Sequence, residues 1–166
     1  MSTKFFNNRL GNTLFDKLKG IASGMVTFDR FLAVVGFFRS SGYFKLRKEL
    51  GDISEIKILV GINIDDIFRK HNKALLMLAD EDKAKEIYNN GFKEDIVNAQ
   101  YSPEVEEGIL QMCEDLVSGR LQMRIHATRN LHAKFYLCLP QNHSEHSDGW
   151  VIMGSSNISD SGLGIK

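Results

Sequence analysis

His132-Ala133-Lys134-Phe135-Tyr136-Leu137-Cys138-Leu139 and, beyond a polar loop, Trp150-Val151-Ile152-Met153-Gly154-Ser155-Ser156-Asn157 are the stretches that decide how this chain folds. The runs 133–139 and 150–153 are rich in aromatic and branched residues. Pro140, Gly149 and Gly154 bound them, so each reads as a β-strand. The loop 141–149 between them is polar, which predicts an antiparallel hairpin. Residues two apart on a strand share a face. His132 and Lys134 should therefore project together, and so should Ser155 and Asn157 if the second strand stays extended. The register that would bring the two pairs together is not fixed by the sequence alone.

Taken singly, each string has an ordinary explanation. His132 could be a histidine satisfied at a strand end, Lys134 a strand-edge charge that discourages aggregation, and Gly154-Ser155-Ser156-Asn157 a turn. Together they make a set suited to a phosphate group. An imidazole titrates near physiological pH, so it can attack phosphorus or carry a proton. Lys134 offers a compact positive charge to non-bridging oxygens, and Ser155 and Asn157 offer neutral donors. The set requires no metal and no cofactor.

The two strings resemble the signature of the phospholipase D superfamily, a His-x-Lys followed by an Asp and then a Gly-Ser-x-Asn. The members nearest in character look like the nuclease-type domains at the N-termini of helicases. The resemblance implies that His132 is the nucleophile of a phosphohistidine intermediate and that Lys134 and Asn157 bind the phosphate. It makes Ser155 a supporting donor, with Ser156, Arg124 and His126 as further candidates for the substrate surface. One position departs from the signature: the Asp falls on Leu139, so the carboxylate that would orient an imidazole is missing or comes from elsewhere.

The front of the chain resembles the same family more weakly, in Phe31 to Phe38, Ser40-Ser41-Gly42 and Ile56 to Ile62. Read from the residues, Asn12 or Thr13 caps a first helix whose Leu14, Phe15, Leu18, Ile21, Ala22 and Met25 form one stripe. A buried strand follows at 31–38. A short helix over 41–50 ends at Gly51, and a strand over 56–62 is apolar enough to be covered on both faces. A long helical region runs from about 65 to 89 and contains His71 and Met77. Ser102-Pro103-Glu104 starts another helix and Gly119 stops it. From Leu121 to Thr128 the pattern alternates, with Leu121, Met123 and Ile125 on one side and Gln122, Arg124 and His126 on the other. The order predicts one α/β domain over 1–166, a mixed sheet sandwiched between helices. The resemblance implies the phospholipase D-like fold, with a further helix and strand after Lys166 as part of a longer protein.

The 21 Lys and Arg balance the 21 Asp and Glu, which argues against tight nonspecific nucleic-acid binding by the whole chain. The distribution is uneven. Acidic residues dominate between 80 and 115, whereas 116–144 carries Arg120, Arg124, Arg129 and Lys134 and no carboxylate, so a phosphodiester is drawn to the motif side. Cys113 and Cys138 sit in apolar surroundings and read as buried free thiols, with one bridge between them as the alternative. Met77, Met112, Met123 and Met153 read as packing residues. His143, Glu145, His146 and Asp148 in the hairpin loop match no closed zinc spacing, and no string has the spacing of a P-loop or dinucleotide fingerprint. Neither a signal peptide nor a membrane-spanning stretch is evident. A soluble, cytoplasmic protein is expected.

Cleaving a phosphodiester needs one group to attack phosphorus and another to protonate the leaving oxygen. One His-x-Lys string supplies one histidine. Single-motif members of the family resemble enzymes that dimerise, which implies a homodimer with His132 of each copy in one of the two roles. The sequence thus leads to a metal-independent nuclease or phosphodiesterase acting on DNA, with RNA as the alternative, attached to a helicase. The competing expectation is a non-catalytic nucleic-acid-binding or dimerisation module. Nothing resembles a basic amphipathic helix for a membrane surface.

Overall fold

The strand Arg30–Val35 (β1) lies at the centre of a five-stranded sheet in a computed structural model that describes residues 5–7, 9–24, 28–61, 102–126 and 131–165. Glu55–Gly61 (β2) and Leu121–His126 (β3) extend the sheet on one side, parallel to β1. Phe135–Leu139 (β4) and Trp150–Met153 (β5) extend it on the other, with β4 antiparallel to both β1 and β5. The order is β3-β2-β1-β4-β5, a mixed sheet in an α/β domain. The expected hairpin is present, with Phe135 opposite Met153 and Cys138 opposite Trp150.

Among the described residues four helices accompany the sheet: Leu14–Ala22 (α1), Ser40–Leu50 (α2), Pro103–Val117 (α3) and Asp160–Leu163 (α4). Thr13 caps α1 in a capping box with Asp16. The helix α3 starts from Ser102 with Pro103 in its first turn, and Gly119, at φ 76°, follows its end. The period-2 alternation of the strands sends Phe31, Ala33, Val35, Ile56, Ile58, Val60, Tyr136 and Cys138 to one face, where all are buried. Leu14 and Leu18 of α1, Tyr43, Leu46 and Leu50 of α2, Met112 of α3 and Leu163 of α4 join them in one core. Burying a side chain of this size stabilises by about 1.5–3 kcal/mol.

The opposite face of β1 and β2 is half-buried at Leu32, Val34 and Leu59, so these strands alternate and β2 is not equally covered on its two sides. On β5 the same face carries Val151 and Met153, 57% and 70% exposed. Met153 therefore departs from the expectation of a packing residue, because it stands on an edge strand. The helix expected over 65–89, with His71 and Met77, lies outside the described residues, as do Arg129, Met25 and the end of the run 121–128. This second face is the one on which the expected sandwich depends.

Two expectations for the thiols and cations need correction. Cys138 is a buried free thiol, pushed up to about 12 by burial, but Cys113 is exposed and also free. It stands on the outer side of α3, where the helix stripe turns to solvent. Arg120 is not a cation of the motif side. Its Nη1 donates to Asp115 Oδ1 at 3.1 Å, in a buried network that joins α2 and α3. The fully buried Asp115 carboxylate also accepts from Tyr43 Oη at 2.8 Å, Arg47 Nε at 2.7 Å and Gln111 Nε2 at 3.3 Å. Desolvation pushes the Asp115 pKa up. The hydrogen bonds from Arg47 and Tyr43 and the charges of Arg47 and Arg120 outweigh it, and hold the carboxyl below its ordinary range.

Candidate active site

The carboxyl ends of β1, β2, β3 and β5 and the start of β4 share one edge of the sheet, as the pairings of Val35 with Val60 and of Phe135 with Met153 require. In open α/β sheets this edge is where ligands bind. β1 stops at Val35, three residues short of the expected end, and the chain bends at Gly36. A Cβ placed on Gly36 would stand 3.3 Å from Lys134 Nζ, 3.4 Å from Asn157 Oδ1 and 3.6 Å from His132 Cδ2. Three sequence-predicted residues from two different strings therefore crowd around one point, and the missing side chain of Gly36 makes the room.

Each of the three is held differently. β4 begins at Phe135, so His132 and Lys134 occupy the lead-in to the strand and not the strand itself. His132 is exposed, whereas Lys134 is only 5% exposed. Lys134 Nζ donates to the carbonyl oxygen of His132 at 2.8 Å, and no carboxylate among the described residues pairs with it. Burial pulls its pKa below the ordinary lysine value. A buried ammonium without a counter-charge is a costly arrangement that a bound anion relieves.

β5 ends at Met153, so the condition under which Ser155 and Asn157 would share a face, an extended strand through both, is not met. Instead the segment turns and is pinned in three places. Gly154 N donates to Lys134 O at 3.3 Å, Tyr136 Oη donates to Ser156 O at 2.6 Å, and Ile158 bridges Phe38. Asn157 Oδ1 accepts from Phe37 N at 2.9 Å. A backbone N–H can only meet the amide oxygen, so Asn157 Nδ2 is left as the donor for a ligand. Ser155 is exposed at the turn, and Ser156 contributes its carbonyl to the Tyr136 bond.

The other candidates lie further along the edge or off it. His126 ends β3, paired with Gly61 of β2. Arg124 pairs with Leu59, one pleat back from the edge, and is exposed. Leu139 pairs with Arg30 at the far end of β4. Five residues of extended chain put it roughly 17 Å from Lys134. A carboxylate there could not orient the His132 ring of the same chain, so Leu139 removes nothing from this cluster. In the hairpin loop, His143 Nδ1 is 2.9 Å from Ser147 Oγ and His146 is exposed. Among the described residues no three His, Cys, Asp or Glu side chains gather where a metal ion could sit.

Sequence reasoning missed Gly36 and Phe37, whose contributions are an absent side chain and a backbone N–H. The bend that interrupts the apolar run 31–38 was the available signal.

Lys134→Met is expected to remove the charge and leave the packing. The folded pKa lies below the unfolded one, so the ammonium opposes folding at neutral pH. That cost fades as pH rises past the folded value. The variant should melt a few degrees higher, about 1–2 kcal/mol. Inorganic phosphate should raise the melting temperature of the parent chain by mass action and leave the variant unmoved. A variant less stable than the parent, or one that phosphate still stabilises equally, would show that Lys134 is not the anion anchor.

Comparison of the chain with known protein families and with curated proteins gives no match.

Proposed function

We propose that the chain is a phosphodiesterase domain of the phospholipase D-like, nuclease type. It cleaves DNA, or alternatively RNA, through His132 as nucleophile and without a metal. The observation that carries this reading is the buried Lys134 ammonium, which has no carboxylate partner among the described residues. It meets the Asn157 amide and the His132 ring at one point above Gly36. A phosphodiester placed there would have its non-bridging oxygens on Lys134 Nζ and Asn157 Nδ2, with His132 open to solvent beside it. Ser155 and Ser156 border this position.

The reaction has two steps. A ring nitrogen of His132 attacks phosphorus, and the P–O bond to the leaving group breaks with its electron pair on oxygen. Water then attacks the phosphohistidine, and the P–N electron pair returns to the ring. Lys134 and Asn157 stabilise the charge that grows on the non-bridging oxygens. In this reading the domain is cytoplasmic and works beside a helicase. Among the described residues no helix is long and apolar enough to cross a membrane.

The test is hydrolysis of bis(p-nitrophenyl) phosphate and of labelled single- and double-stranded DNA in EDTA. Turnover that survives EDTA is the expected result. A folded chain that binds DNA and turns over neither substrate would replace this reading with a nucleic-acid-binding module.

A further inference from the structure

The Asn157 amide can serve a phosphate only while its backbone stands in one place, yet residues 157–159 belong to neither β5 nor α4. Two glycines on two helices press on this segment. A Cβ built on Gly162 of α4 would overlap the carbonyl oxygen of Asn157 and stand 2.7 Å from its N and 3.0 Å from its C. One built on Gly42 of α2 would stand 2.6 Å from Ser159 Cα, 2.7 Å from Ser159 N and 2.9 Å from Ile158 C. Every one of these atoms is backbone, which cannot rotate aside as the end of a long side chain can. In a close-packed interior an added methyl group must therefore displace either the segment or the helix that carries it.

The helices are the harder side to move. Leu163, next to Gly162, is fully buried in the core, and Ser159 Oγ caps α4 by accepting from Gly162 N at 3.1 Å. In α2, Tyr43 and Leu46 are fully buried, and Tyr43 Oη is bonded to Asp115. The segment itself is tied to the site. Arg39 N donates to Ile158 O at 2.8 Å, and Phe37 N donates to Asn157 Oδ1 at 2.9 Å. A push on residues 157–159 thus reaches the bond that orients the amide, and it carries Nδ2 away from the point above Gly36.

We infer that Gly162 and Gly42 are positioning residues for the Asn157 amide. Their missing side chains let α4 and α2 close on residues 157–159 and hold Nδ2 where a phosphate oxygen on Lys134 Nζ can meet it. For the reaction this rests on the phosphodiesterase reading above; for anion binding it rests on the cluster alone. A misplacement of about 1 Å can cost about 10²-fold in rate.

The test uses the full chain with Gly162→Ala, Gly42→Ala and Asn157→Ala singly, and each glycine variant combined with Asn157→Ala. Melting curves establish folding and read the rise in melting temperature caused by inorganic phosphate, and turnover is measured on bis(p-nitrophenyl) phosphate. Each glycine variant is expected to lose about 10–10²-fold in turnover and part of the phosphate-induced rise. Neither should subtract anything further from Asn157→Ala, because the amide through which they act is already gone. A loss as large in the Asn157→Ala background as in the parent would make the glycines structural only. Parental turnover and an undiminished rise in folded variants would show that the helices yield and the amide stays. Should one glycine variant fail to fold, the other decides. A parent that responds to phosphate and hydrolyses nothing would end the phosphodiesterase reading, with the glycine assignment then decided by the rise alone; a parent that does neither would overturn both.

Discussion

His132→Ala is expected to lower phosphodiester turnover by at least about 10³-fold, the scale on which removal of an attacking group acts. Its melting temperature should stay within about a degree of the parent, because an exposed side chain with no hydrogen bond to a described residue contributes little to folding. His132→Asn should be as inactive, since an amide keeps polarity but cannot form the phosphorus–nitrogen intermediate. Steady-state rates on bis(p-nitrophenyl) phosphate, read beside melting curves of the same samples, check both statements. Residual turnover within ten-fold of the parent would remove His132 from the role of nucleophile.

Asp115→Asn should act on stability and leave the chemistry alone. The carboxylate is fully buried and is surrounded by Arg47, Arg120, Tyr43 and Gln111. Neutralising it strands the Arg47 guanidinium, itself 7% exposed. Breaking a buried pair from one side costs about 3–5 kcal/mol, which for a chain of this size is a fall of roughly 10 °C or more in melting temperature.

The pH dependence follows from the direction of the shift. The folded pKa of Asp115 is held below the unfolded one, so its stabilisation is present in full above the unfolded value, about 3.9. It is lost as pH falls through the folded value. Urea titrations at pH 7 and pH 3 should show the stability gap between parent and variant narrowing in acid. A gap that stays constant would mean that the charge is not what matters.

The sequence pattern was enough for the hairpin, the caps and the alternating strands, because those depend on local chemistry. Pro103 after Ser102, Gly51 after Leu50 and the run 150–153 act within a few residues. The convergence of His132, Lys134 and Asn157 was legible only through the pairing of two strings. What escaped was non-local or without a side chain. The Asp115 network joins residues 68 and 72 positions apart, from Arg47 and from Tyr43. No pattern on α2 announces that Tyr43 and Arg47, one turn apart, share a carboxylate. Arg120 looked like a free cation of the basic segment because its partner lies in the acidic one.

Leu139 looked like a defect for a related reason. Counting residues from Lys134 gives a sequence distance, while the extended strand turns that count into physical separation along β4. The role of Gly36 was hidden because it contributes by what it lacks, and a glycine after a valine at the end of an apolar run reads as a strand stop.

Trapping the intermediate decides whether His132 is the nucleophile. The chain is mixed in EDTA with an oligonucleotide, quenched within a turnover, digested and weighed by mass spectrometry under conditions that preserve phosphorus–nitrogen bonds. A nucleotidyl adduct on the peptide carrying His132, absent from His132→Ala, is expected. Steady turnover by the parent with no adduct at His132, or an adduct on another residue that persists in the variant, would contradict it.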